Sequence, residues 1–179
     1  MRRTHIVLIV SAAIAVGIYS CKDSGRTIVG PPSGANLIAN SSFESNGTPS
    51  LQGWQVIDTS VVRFSTDTPP DGGAWAISIE TVWGQARIQT AVALPEGTHH
   101  YKLSTWARKQ GVGGKISLLF NKAIRKTLTV TDATWTVYTF NDMLTTVRGD
   151  SVVVELAGGF SQLLSGETYF DLCKFEMLD

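Results

Sequence analysis

The chain has 179 residues, 43% hydrophobic and 17% charged, enough for one globular domain with a sizeable core. Fifteen Lys and Arg balance fifteen Asp and Glu. Without a basic excess there is no electrostatic footprint for a nucleic acid partner.

The first twenty residues differ in kind from the rest. Arg2 and Arg3 precede an apolar run of 13 residues, Ile6 to Ile18, broken only by Ser11 and Gly17. A bilayer span needs about 20 such residues, so the run fits the core of a secretory signal instead. Without residues 1–20 the chain keeps 13 basic against 15 acidic groups. Ile18-Tyr19-Ser20-Cys21 resembles the bacterial lipobox. That resemblance implies lipidation of Cys21 and an extracytoplasmic protein anchored to the cell envelope. Lys22, rather than Asp, after the cysteine points toward the outer membrane. A plain signal with a chance cysteine, or an uncleaved anchor, is the alternative. Residues 22–35, rich in Gly, Ser and Pro, read as a flexible tether that begins at Cys21, with Pro31-Pro32 extended.

From Asn36 onward the texture is all-β. Strand-like runs fall near 36–39, 54–57, 61–65, 74–81, 85–94, 99–109, 115–120, 125–130, 134–140, 151–157 and 168–178. Asn46-Gly47, Pro69 to Gly73, Pro95-Glu96-Gly97, Gly111 to Gly114, Gly149-Asp150 and Gly158-Gly159 separate them. Period-2 faces are clearest in four runs. Ala74, Ala76 and Ser78 oppose Trp75, Ile77 and Ile79. Tyr101, Leu103, Thr105 and Ala107 oppose Lys102, Ser104, Trp106 and Arg108. Val152, Val154 and Leu156 oppose Val153, Glu155 and Ala157. Tyr169, Asp171, Cys173, Phe175 and Met177 oppose Phe170, Leu172, Lys174, Glu176 and Leu178. Such faces over many short strands predict a two-sheet antiparallel β-sandwich over residues 36–179. Cys173, the second of two cysteines, reads as a small buried residue.

No nucleophile elbow, phosphate loop or zinc-protease helix is present, which argues against an enzyme. The folded region's only histidines, His99 and His100, are adjacent in a turn-like stretch. A Ser-His-Asp set is hard to build from them. Asp67, Asp71, Asp132 and Asp150 fall in turn-like stretches too, where Asp bonds its own backbone.

Four segments in register carry a resemblance. Asn36-Leu37-Ile38-Ala39-Asn40-Ser41-Ser42-Phe43-Glu44, followed by Gly53-Trp54, resembles the opening of galactose-binding-like carbohydrate-binding modules. Pro95-Glu96-Gly97 with Tyr101 to Arg108 resembles a middle strand of those modules. Ala133 to Tyr138 resembles a later one, and Thr168-Tyr169-Phe170-Asp171-Leu172 their closing strand. Families 4, 9 and 22 are the nearest in pattern. The resemblance implies a galactose-binding-domain-like jelly roll whose first and last strands pair. It also implies a structural Ca2+ at the junction, on Glu44 and Asp171, with Leu172 where a second Asp is usual. The alternative is a turn carboxylate at Glu44 and a buried, hydrogen-bonded Asp171.

The resemblance further implies a polysaccharide or glycan partner and non-catalytic binding. Sugar recognition needs flat apolar faces rimmed by planar hydrogen-bonding groups. Trp83, Arg87, Gln89, Trp106 and Arg108 are the candidates, with Trp83-Gly84 resembling a sugar-stacking segment of family 22. Trp106 also fits a core position, and Arg87 and Gln89 also fit a merely solvated sheet face. Trp54 and Trp135 read as core, while Trp75 fits either role. The rival function is a structural or protein-interaction sandwich module on the envelope that takes no glycan.

Overall fold

The computed structural model describes residues 32–57, 61–81, 86–159, 164 and 166–179. Cys21 and Trp83 lie outside these. Every regular element among the described residues is a strand: β1 (Glu44–Ser45), β2 (Thr48–Pro49), β3 (Gln55–Ile57), β4 (Val61–Ser65), β5 (Ala76–Thr81), β6 (Arg87–Val92), β7 (Gly97–Gly111), β8 (Lys115–Phe120), β9 (Ala123–Thr129), β10 (Thr136–Thr146), β11 (Val152–Ala157) and β12 (Gly166–Met177). They build the expected two-sheet antiparallel sandwich. One sheet runs β10-β7-β12-β5-β4, the other β3-β6-β11-β8-β9, and β1-β2 forms a small separate hairpin.

The period-2 pattern explains the core. Leu103 and Ala107 of β7, Ile77 and Ile79 of β5 and Phe170 of β12 face inward from the first sheet. Ile88, Ile116, Leu118, Val154 and Leu156 meet them from the second. Tyr101 stacks on Phe175 with centroids 5.2 Å apart. Trp54 is core as read, tilted on Phe43 at 5.2 Å, and its indole N–H donates to the Asn40 carbonyl at 3.2 Å. Each such buried side chain contributes about 1.5–3 kcal/mol. At one open side, Arg125 of β9 donates to Asp142 of β10 at 3.0 Å, and Lys126 donates to the Asn141 carbonyl at 3.1 Å. These bonds bridge the edge strands of the two sheets.

The two ends of the domain meet. Leu37 N–H donates to the Phe175 carbonyl at 2.8 Å, and Cys173 N–H to the Ser41 carbonyl at 2.8 Å. Asn36 Oδ1 accepts from the Phe175 amide at 3.0 Å. Gly34 N–H, in the stretch read as tether, donates to the Met177 carbonyl at 2.7 Å.

Four details depart from the sequence reading. Residues 36–39 form a single bridge, Asn36 to Glu176, because the Asn36 side chain replaces ladder bonds there. Asn46-Gly47 joins the two short strands β1 and β2, and both residues have positive φ (52° and 74°), the geometry a tight hairpin turn needs. β10 continues to Thr146, held in register against β7 along eleven pairs. Finally, the alternation of β12 is interrupted. A bulge between Asp171 and Lys174, with Leu172 at φ 48°, inserts a residue. Phe170 therefore faces the core with Cys173, Phe175 and Met177, while Tyr169 turns outward.

Candidate functional site

The outer face of the second sheet carries a polar band. Register places Gln55, Gln89, Glu155, Ser117 and Thr127 side by side across all five strands. The adjoining row is Ile57, Arg87, Ala157, Lys115 and Thr129. In β6, Ala86, Ile88, Thr90 and Val92 are buried. The intervening Arg87 and Gln89 must then point outward together, as the sequence predicts. Gln89 Nε2 donates to Glu155 Oε2 at 2.6 Å, and Arg87 Nε lies 3.4 Å from the same oxygen. Glu155 is only 9% exposed, so its carboxylate is neutralised in place by these neighbours. Ser117 and Thr127 hydroxyls bond at 3.1 Å. Beside them is a recess of about 180 Å³, lined by Lys115, Ser117, Ile124, Thr127, Glu155 and Ala157. The band is thus a set of fixed donors and acceptors on a rigid sheet.

Trp106 and Arg108 do not join it. Residues 93–96 carry the chain across to the first sheet, so β7 lies on the opposite side of the sandwich from β6. Arg87 and Gln89 therefore stand on one face of the sandwich and Trp106 and Arg108 on the other, so these four candidates do not share a surface. Arg108 is engaged within the protein. Its guanidinium sits 3.7 Å from the Tyr169 ring centroid and 5.7 Å from that of Trp135, and it pairs with Asp67. Trp135 Nε1 donates to Asp67 Oδ1 at 3.0 Å. Trp135 is therefore part of an outer clasp rather than the core, correcting the sequence reading. Trp106 keeps a partly exposed face.

Glu44 and Asp171, far apart in sequence, converge where the chain ends meet. Both press on one backbone segment. A Cβ on Gly72 would stand 2.5 Å from Asp171 Oδ2, and one on Gly73 2.1 Å from Glu44 Oε1. Only glycine leaves room for the carboxylates there. Glu44 Oε1 accepts the Trp75 amide at 2.6 Å, which gives that partly buried tryptophan a backbone role at this junction. Asp171 is fully buried. Its Oδ1 accepts the Leu172 amide at 2.7 Å, whereas Oδ2 has no hydrogen-bond partner among the described residues. Burial, assisted by the nearby Glu44 charge, pushes the Asp171 carboxyl up to about 7. An orphaned buried oxygen beside a second carboxylate fits a hard cation. Among the described residues no third His, Cys, Asp or Glu side chain joins them, so backbone carbonyls would complete the shell.

The remaining candidates stay out of these sites. His99 and His100 lie 3.5 and 3.0 Å from Asp179 at the start of β7. Burial pushes the Cys173 thiol up to about 12, which makes it inert. The sequence reading missed Glu155, Ser117 and Thr127. One signal was available: a lone Glu among the valines of Val152-Val153-Val154-Glu155 is hard to place unless paired.

Neither protein-family models nor curated proteins match the chain. Solved structures do. The structure of TmCBM61 in complex with β-1,4-galactotriose is similar over 80% of this chain and 99% of that one, at 19% identity and TM-score 0.56. The CBM22-1 xylan-binding domain of Paenibacillus barcinonensis Xyn10C is similar over 83% and 98%, at 12% identity and TM-score 0.57. The fold is that of the carbohydrate-binding modules. It is shared beyond them: a cyclase from Fischerella sp. TAU matches over 81% and 98%, at 12% identity and TM-score 0.63. The enzymatically active domain of bacteriophage CBA120 tailspike protein 4 also matches, at TM-score 0.59 and 15% identity. There the match covers 79% of this chain but only 21% of the tailspike chain.

Proposed function

We propose that this protein binds a polysaccharide, without catalysis, along the outer face of the β3-β6-β11-β8-β9 sheet. The observation that carries the reading is the Gln89–Glu155–Arg87 cluster, whose side chains fix one another at 2.6 and 3.4 Å in the polar band beside the recess. Sugar hydroxyls are recognised by such preset pairs of donors and acceptors, because little side-chain ordering is left to be done on binding. Ser117, Thr127 and Lys115 extend the band by two strands. Trp83, four residues before Arg87 in sequence, supplies the stacking platform in this reading. The carbohydrate-binding neighbours support it. Catalysis needs an acid or base free to move a proton, and here Glu155 is held by Gln89 and Arg87 while both described histidines face Asp179.

Two further parts of the reading are structural. Glu44 and Asp171 hold a calcium ion that ties the start of the domain to β12. Its chemistry there is to compensate the negative charges of the buried Asp171 and the partly buried Glu44. The Cys21 lipid anchors the domain to the outside of the cytoplasmic compartment, on the bacterial envelope. Titration of the protein against plant and microbial polysaccharides tests the binding. One or more should bind, and Gln89→Ala and Glu155→Gln should each weaken that binding by about tenfold or more, which is about 1.4 kcal/mol. A folded protein that binds none of them overturns the proposal.

A further inference from the structure

We infer that the protein has a second, separate ligand site that takes a single sugar ring, on the outer face of the first sheet beside Trp106. The inference does not depend on the groove proposed above, which lies on the opposite sheet. A recess of about 190 Å³ is lined there by Asp71, Ser104, Trp106, Val137, Leu172 and Lys174.

The fold makes this recess for a traceable reason. Val137 lies directly across from Trp106 in the β10–β7 ladder, and Lys174 across from Ser104 in the β7–β12 ladder. The bulge of β12 between Asp171 and Lys174 interrupts the sheet surface next to Trp106 and turns Leu172 outward at φ 48°. The segment that carries Asp71 lies over Asp171, since a Cβ on Gly72 would stand 2.5 Å from its Oδ2. An indole, a valine and a leucine thus make the walls, and a carboxylate, an ammonium and a hydroxyl make the rim.

That composition selects the ligand. A pyranose has an apolar CH face for an indole and a ring of hydroxyls that need both acceptors and donors. Asp71 accepts, Lys174 donates and Ser104 does both. The Asp71 and Lys174 charges have no ion-pair partner among the described residues, although both line this one recess. Arg108, two residues along β7, shows the contrast: it is engaged by Asp67, Tyr169 and Trp135.

One small ring in an open recess binds with a millimolar Kd. The test is amide and indole NMR of the 15N-labelled full chain titrated with galactose, glucose, mannose, xylose and N-acetylglucosamine. At least one sugar should shift the Trp106 indole N–H and the Ser104 and Lys174 amides in a saturable way. Trp106→Ala should abolish the response. Lys174→Ala, an exposed change that leaves the core alone, should raise Kd at least about threefold. Gln89→Ala should leave it unchanged. The inference is overturned if none of the five sugars moves these signals. It is equally overturned if the shifts survive in both the Trp106 and Lys174 variants, or fall on Gln89, Glu155 and Ser117 instead. Because Gln89→Ala separates the two faces, loss of polysaccharide binding and loss of the Trp106 response are read independently.

Discussion

Asp171 makes the metal-free protein less stable as pH rises, opposite to the usual behaviour of a paired carboxylate. An Asp in an unfolded chain titrates near 3.9, and burial moves this one to about 7. Between those values the folded state keeps a proton that the unfolded state has released, so raising pH favours unfolding. About three pH units at 1.36 kcal/mol each give a loss of about 4 kcal/mol between pH 4 and pH 8. For a domain of this size that is a fall in Tm of roughly 8–16 °C. If the proposed calcium binds the ionised form it removes the penalty, so its stabilising effect should be large at pH 8 and nearly absent at pH 5. The assay is thermal unfolding in EDTA and in excess calcium across this range, for the natural protein and for Asp171→Asn. The variant, which has nothing to ionise, should lose both the slope and the calcium response. Metal-free protein that is equally stable at pH 5 and pH 8, or a slope that persists in Asp171→Asn, would refute the reasoning.

Other expectations follow from the same geometry. Gly73→Ala drives a methyl to 2.1 Å from Glu44 Oε1 and should cost about 1–3 kcal/mol by calorimetry while weakening calcium stabilisation. Arg108→Ala leaves Asp67, Trp135 and Tyr169 without their shared cation. It should cost about 1–2 kcal/mol in denaturant unfolding yet leave polysaccharide affinity unchanged, because the clasp is on the sheet opposite the polar band. Cys21→Ala should release the protein from the membrane fraction of expressing cells, read by fractionation and loss of labelled fatty acid.

Much of the architecture was legible because strands declare themselves by period, and little in this chain competes with that signal. The meeting of the ends was implied by resemblance, since Asn36 to Glu44 and Thr168 to Leu172 resemble the opening and closing segments of carbohydrate-binding modules, and in the structure Asn36 meets Phe175 and Glu176. The bulge in β12 could not be read. Alternation across Tyr169 to Met177 looks unbroken in sequence, since Tyr169, Cys173, Phe175 and Met177 are all apolar enough to share an inward face. What breaks the period is the bulge at Leu172, which lets Phe170 on one side of it and Phe175 on the other both stay in the core.

The division of the proposed ligand residues follows from the same limit. Period-2 logic says which residues of a strand share a face, and it placed Arg87 with Gln89 and Trp106 with Arg108 correctly. It does not say which sheet a strand joins. Val92 and Gly97 are separated by four residues, a length that suits a hairpin within one sheet and also a step between two. Here Leu94, packed against the core, holds the step between sheets, and β6 pairs with β3 and β11 instead of β7. One consequence is functional. With β6 and β7 on opposite faces, Gln89 and Trp106 cannot touch the same sugar ring, so a variant at one must leave binding at the other intact. A single ligand that loses affinity through direct contact at both positions would be incompatible with this sandwich, whatever its chemistry.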